Sequence, residues 1–196
     1  MGDDFETLLD ESLADPEGAH FPTLRAAYAE SRRYLPFGRD QDAVEDLHRK
    51  MAAEDWEQAL DLVEALLTDD PLSISLRFAY AHILEHLDDE MEASAQRTFG
   101  NGLLRAVLGS GDGRSPESAM LVLDTREMYL VVEVMGLRAE RTQLAQVGAE
   151  WIERVEVKGG AGPRALYFNV SLPQSWLARV ERTEEVEIGD DRQGEE

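Results

Sequence analysis

Asp55-Trp56-Glu57-Gln58-Ala59-Leu60, running on through Val63, Leu66 and Leu67 to Asp70-Pro71, decides how the rest of the chain is read. Leu60, Val63, Leu66 and Leu67 recur at three- and four-residue steps, which predicts a helix with one buried stripe. Trp56 places a large aromatic at its start, and Ala59 one turn on leaves room for a neighbouring helix. Pro71 ends the helix and suits the first turn of another, because a first-turn residue needs no N–H. One amphipathic helix cannot bury its stripe alone, so partners are expected on both sides.

The spacing of Trp56, Ala59 and Pro71 is that of the second half of a tetratricopeptide repeat. Towards the N-terminus, Asp3 or Asp4 caps a first helix reaching about Leu13, with Phe5, Leu8, Leu9 and Leu13 on its apolar side. Asp15-Pro16-Glu17-Gly18 breaks it. A second helix is expected from Pro22 to about Tyr34, and Pro36-Phe37-Gly38 stops the chain again. Asp40 or Asp42 caps a third, carrying Val44, Leu47 and Met51. Towards the C-terminus, Pro71 to about Leu87 is expected as the fifth helix and Met91 to about Leu108 as the sixth. Gly100-Asn101-Gly102 should bend or split that last one.

Beyond Gly109 the texture changes. Gly109-Ser110-Gly111-Asp112-Gly113-Arg114-Ser115-Pro116 is a turn-rich loop, and Ala119 to Leu123 reads as a strand. Between Asp124 and Gly136 the signals conflict. Asp124 with Glu127 and a closing Gly136 suit helix ends, whereas Val131, Val132 and Val134 suit a strand. The caps tip the reading to a helix. Leu137 to Leu144 and Trp151 to Val157 are expected strands, and Lys158 to Pro163 a hairpin connection to a strand from Ala165 to Val170. Pro173 to Val180 fits a short closing helix with Trp176, Leu177 and Val180 inward. The expected fold class is α+β. A tetratricopeptide-like antiparallel helical array fills residues 1–108, and a small mixed domain with a short, mostly antiparallel sheet fills 109–183. An acidic disordered tail fills 184–196.

At 196 residues and 43% hydrophobic content the chain has enough apolar surface for a real core. A formal charge of −22 argues against nucleic acid, which selects Lys and Arg, and against anionic membranes. It points to a basic protein partner. There are no cysteines, so no disulfide or thiolate chemistry is available. The opening Met1-Gly2-Asp3-Asp4-Phe5-Glu6 lacks the basic-then-apolar order of a signal peptide, which makes a cytoplasmic location the expectation.

A further pattern begins at Phe21-Pro22-Thr23-Leu24-Arg25-Ala26-Ala27-Tyr28, followed by Tyr34-Leu35-Pro36-Phe37. It resumes at Ser110-Gly111-Asp112-Gly113, at Glu127-Met128-Tyr129 with Gly136-Leu137, and at Gln143-Leu144. It closes on Leu166-Tyr167-Phe168-Asn169-Val170. In this order the segments resemble the bacterial family of domain of unknown function 4919, over most of Phe21 to Val170. The resemblance implies tetratricopeptide-like helices joined to a small mixed domain. It carries no activity, ligand or functional residue.

His82-Ile83-Leu84-Glu85-His86 has the H-x-x-E-H order of inverted zinc peptidases. Two histidines four apart share a helix face and can hold one Zn²⁺, with Glu85 activating a water. A zinc centre needs a third ligand, and no downstream segment supplies one. The expectation is therefore two polar positions on a helical face, with no metal, no cofactor and no catalytic residue. Gly111-Asp112-Gly113-Arg114-Ser115 lacks the Lys-Ser/Thr end of a phosphate loop and the spacing of a calcium hand. As a glycine loop at a junction it is still the first place to look for an ion or phosphate. Ser110, Ser115 and Ser118 have no G-x-S-x-G context. The function expected is a non-enzymatic protein-interaction or scaffold module. The alternatives are an immunity or inhibitor protein for a basic partner, or a metal-dependent hydrolase using His82, Glu85 and His86, or Asp112 and its loop.

Overall fold

Capping side chains set most helix starts in the first of two compact units, Met1–Ser110. In the computed structural model, residues 3–38, 40–159 and 163–180 are described. His20, Asp40, Ser73 and Asp89 each accept a hydrogen bond from a first-turn N–H of the helix that follows, satisfying amides that would otherwise be orphaned. The helices are α1 (Asp3–Ala14), α2 (Phe21–Glu30), α3 (Gln41–Ala52), α4 (Trp56–Asp69), α5 (Ile74–His86) and α6 (Glu90–Leu108).

From α3 to α6 each helix packs on the next in sequence, and α1 and α2 close against α6. Leu47, Ala59, Val63 and Ile83 are fully buried in one cluster shared by α3, α4 and α5. Each large apolar side chain in it contributes about 1.5–3 kcal/mol. Ala59 is fully buried in the cluster, while Trp56 packs on it only partly buried. A second core lies between α1, α2 and α6. Phe21 meets Phe99 edge-on at 5.1 Å, and Tyr28 lies 5.0 Å from Phe5 and 5.5 Å from Tyr34.

Three features of this unit depart from the sequence reading. Helix α2 stops at Glu30 rather than Tyr34, because the Ser31 hydroxyl donates to Tyr28 O at 2.8 Å and competes with the helical ladder. Helix α5 opens at Ile74, not Pro71. Pro71 sits in a turn closed by Ser73 N–H on Asp70 O, and the Ser73 hydroxyl then caps Leu76 N–H at 3.3 Å. Helix α6 runs unbroken through Gly100-Asn101-Gly102. The glycines admit aromatic rings: a Cβ on Gly100 would lie 3.1 Å from Phe78, and one on Gly102 would collide with the Phe21 ring. Gly102→Ala should therefore lower the unfolding free energy by about 1–3 kcal/mol through overpacking, although alanine is the better helix former by about 1 kcal/mol. A denaturation midpoint at or above that of the parent would contradict this packing.

In the second unit, Gly111–Glu196, a 3₁₀ turn (Pro116–Ser118) leads into β1 (Met120–Leu121) and α7 (Thr125–Val134). Strands β2 (Arg138–Val147), β3 (Glu150–Lys158) and β4 (Ala165–Asn169) follow, and α8 spans 171–180. The sheet order is β1-β4-β3-β2, with β1 parallel to β4 and the other pairs antiparallel. The molecule is α+β. The Asp124 carboxylate accepts the N–H groups of Arg126 and Glu127, and Gly136 ends the segment with φ 69°. Helix caps thus outweigh Val131 and Val132, which are buried along the helix beside Met128. Glu127 reaches back to Leu123 N–H at 2.8 Å, one residue earlier than a reciprocal cap requires.

The strand expected over Ala119 to Leu123 is only two residues long, because Asp124 already turns the chain into α7. Leu177, expected inward, is 37% exposed; the helix begins at 171 and turns Pro173 inward instead. The acidic segment 184–196 lies outside the described residues.

Candidate functional site

The side chains that sequence reading singled out on α4 and α5 do meet. The Trp56 indole stacks flat on the His86 imidazole, with centroids 4.0 Å apart and planes 2° apart. His82 stands edge-on to both rings, 5.7 Å from Trp56 and 4.7 Å from His86. Trp56 opens α4 and the histidines close α5, so two neighbouring helices bring the three rings to one end of their hairpin. His82 and His86 are exposed.

The partners that metal chemistry would need are engaged elsewhere. Glu85 ion-pairs with Arg97 of α6, and its other oxygen lies 3.7 Å from His82 Nδ1. Among the described residues no three His, Cys, Asp or Glu side chains are grouped so as to hold a metal ion. What these rings offer is a small aromatic cluster at the end of the hairpin.

The loop at Gly111–Ser115 is closed on itself. The Asp112 carboxylate accepts the Ser118 hydroxyl at 2.5 Å and Arg114 N–H at 3.0 Å. Those hydrogen bonds, the Ser118 one first, hold its carboxyl below the usual carboxylate range. Gly113 N–H goes to Ser118 O and Ser115 N–H to Ser118 Oγ. The amides that would cradle a phosphate are spent inside the loop, and a carboxylate occupies its centre. Gly113, at φ 65°, also accepts Tyr167 N–H at 2.9 Å, fixing the loop beside β4.

A groove of about 550 Å³ lies in the first unit, lined among others by Pro16, His20, Phe21, Thr98, Gly102 and Arg105. His20 Nδ1 is occupied by the Thr23 amide and hydroxyl, as the α2 cap requires. The groove is the space left where the Phe21 ring rests on Gly102.

One polar cluster escaped the sequence reading. Arg77 of α5 is buried, donating to Pro71 O at 2.8 Å and to Gln96 Oε1 at 2.7 Å, with its guanidinium carbon 4.5 Å from the Phe99 ring centroid. Gln96 passes the chain on to Glu92 at 2.7 Å. The signal was available: Arg77 shares a stripe with Ser73, Ala81 and Leu84, and Gln96 lies among Ala93, Phe99 and Leu103, all buried. A polar residue on an apolar stripe announces a satisfied buried group.

Fold and site together define a two-unit α+β protein with an acidic helical face. The chain belongs to the family of domain of unknown function 4919 (DUF4919), whose model matches residues 19–177. No curated protein and no solved structure matches it. No described helix is long and apolar enough to cross a membrane.

Proposed function

We propose that the protein is a non-enzymatic, cytoplasmic protein-interaction module whose tetratricopeptide-like helices dock a basic segment of a protein partner. The observation that carries this reading is the charge of one stretch. From Asp40 to Glu92 the chain has sixteen acids and three bases. Of the three bases, Arg77 is buried, Arg49 pairs with Asp46 at 2.6 Å, and Lys50 donates to Gln58 at 2.7 Å. Glu57, Asp61 and Glu64 follow one another along an exposed face of α4, leading away from the Trp56–His86 stack. A potential of one sign over such a face speeds encounter with a basic partner.

Titration with a Lys- and Arg-rich peptide, followed by calorimetry, tests the reading. Binding should weaken as salt rises, and Glu57→Lys/Asp61→Lys should cost about tenfold in affinity or more. Glu11→Lys/Glu17→Lys on the α1 side makes the same change in net charge at another place and should cost far less. Equal losses in the two variants would mean that only total charge matters, and the docking face would be abandoned.

A further inference from the structure

Among the described residues strand β2 ends the sheet, and all but one of its ten residues are exposed. Its two halves are protected differently. Arg138 to Arg141 carries three charges and a register shift, both of which discourage a further strand. Thr142-Gln143-Leu144-Ala145-Gln146-Val147 has no charge, no proline and no glycine, and Leu144 is 45% exposed. An edge of this kind is a template for pairing.

The hairpin fixes which amides face outward. Gly148-Ala149 joins Val147 and Glu150, which are partners in the ladder. A two-residue hairpin makes that pair exchange both hydrogen bonds. Val147, Ala145 and Gln143 then turn their backbone groups to β3, and Gln146, Leu144 and Thr142 turn theirs outward. The far side of β3 agrees: Trp151 O accepts Val170 N–H, and Val157 N–H donates to Arg164 O. The outward set of β2 is thus symmetric about Leu144.

We infer that this edge pairs with the same edge of a second copy of the chain, antiparallel about a two-fold axis at Leu144. In that register Leu144 faces its own counterpart, Thr142 faces Gln146 of the second copy, and roughly six backbone hydrogen bonds form. The chemistry favours a copy over a foreign strand. The outward amides are self-complementary about one residue, and an isologous contact needs only that. Charge opposes it less here than in the first unit: residues 111–196 have seventeen acids and ten bases, against twenty-four and nine in 1–110.

Single cysteines in this cysteine-free chain read the register directly. Hydrogen-bonded partners have Cα atoms about 5.5 Å apart, within disulfide reach. Leu144→Cys should therefore cross-link to a dimer under mild oxidation. In Gln146→Cys the two thiols would lie about 14 Å apart along the strand and should not cross-link. Sedimentation of the unmodified protein should give a dimer that salt strengthens, opposite to its effect on a basic peptide. Leu144→Lys, at an exposed site, should give a folded monomer by circular dichroism. A parent protein that is monomeric at every concentration, or equal cross-linking of the two cysteine variants, would overturn the pairing.

Discussion

Phe99→Ala is expected to lower the unfolding free energy of the helical unit by about 3–5 kcal/mol. Phe99 is fully buried on α6, and its ring closes two contacts at once. Its edge-on partner is Phe21, 5.1 Å away, and Arg77 lies over it at 4.5 Å. An aromatic pair of this geometry adds about 0.5–1.5 kcal/mol beyond the area it buries. Truncation also leaves the Arg77 guanidinium beside an empty space instead of a ring face. Collapse into that space is limited, because Phe21 already rests on the bare backbone of Gly102. Denaturant unfolding followed by helical circular dichroism measures the effect. A loss under about 1 kcal/mol would mean the helices repack around the gap, and the second core would have to be redrawn.

Much of the helical unit was legible because amphipathic stripes and caps are local signals. Leu47, Val63 and Ile83 lie on their stripes and are buried; Asp40 and Asp124 cap as their positions require. Errors came where a side chain chose between two local partners. Ser31 could continue a helix or close a turn, and its hydroxyl took the Tyr28 carbonyl. Gly100 and Gly102 look like breaks until the rings that fill their missing side chains are known, and those come from α5 and α2. Of the candidate site, the H-x-x-E-H spacing put two histidines together, but it could not tell that His86 would stack on Trp56 or that Arg97 would take Glu85. Residues far apart in sequence set those contacts. The exposed length of β2 was hidden for a related reason, since strand propensity does not say whether a sheet continues past a strand.

Replacing Arg77 by methionine is expected to cost about 3 kcal/mol, chiefly by stranding acceptors. The side chain ties the α4–α5 connection to α6, with Pro71 O on one side and Gln96 Oε1 on the other. Both carbonyls are left without a donor when it goes. Burial pulls its pKa down to about 10, so it stays charged at neutral pH and needs every acceptor it has. Gln96→Leu removes one of them and should cost about 1–3 kcal/mol. The double variant Arg77→Met/Gln96→Leu should be less destabilised than the sum of the two, because it removes Gln96 Oε1 together with its donor and leaves only Pro71 O and the half-buried Glu92 carboxylate to find others. Strict additivity in that cycle would mean the two side chains do not act as a unit. Alkaline pH gives a second reading. Arg77 has a lower pKa folded than unfolded, so above pH 10 the unfolded chain binds more protons there and stability should rise. Tyr80 runs the other way: burial, then its hydrogen bond to Glu64, raises its pKa, so its contribution falls over the same range. With Arg77 gone only the falling contribution of this pair remains, and the variant should lose stability more steeply than the parent above pH 10. Parallel alkaline profiles would show that the guanidinium is not buried as charge between these helices.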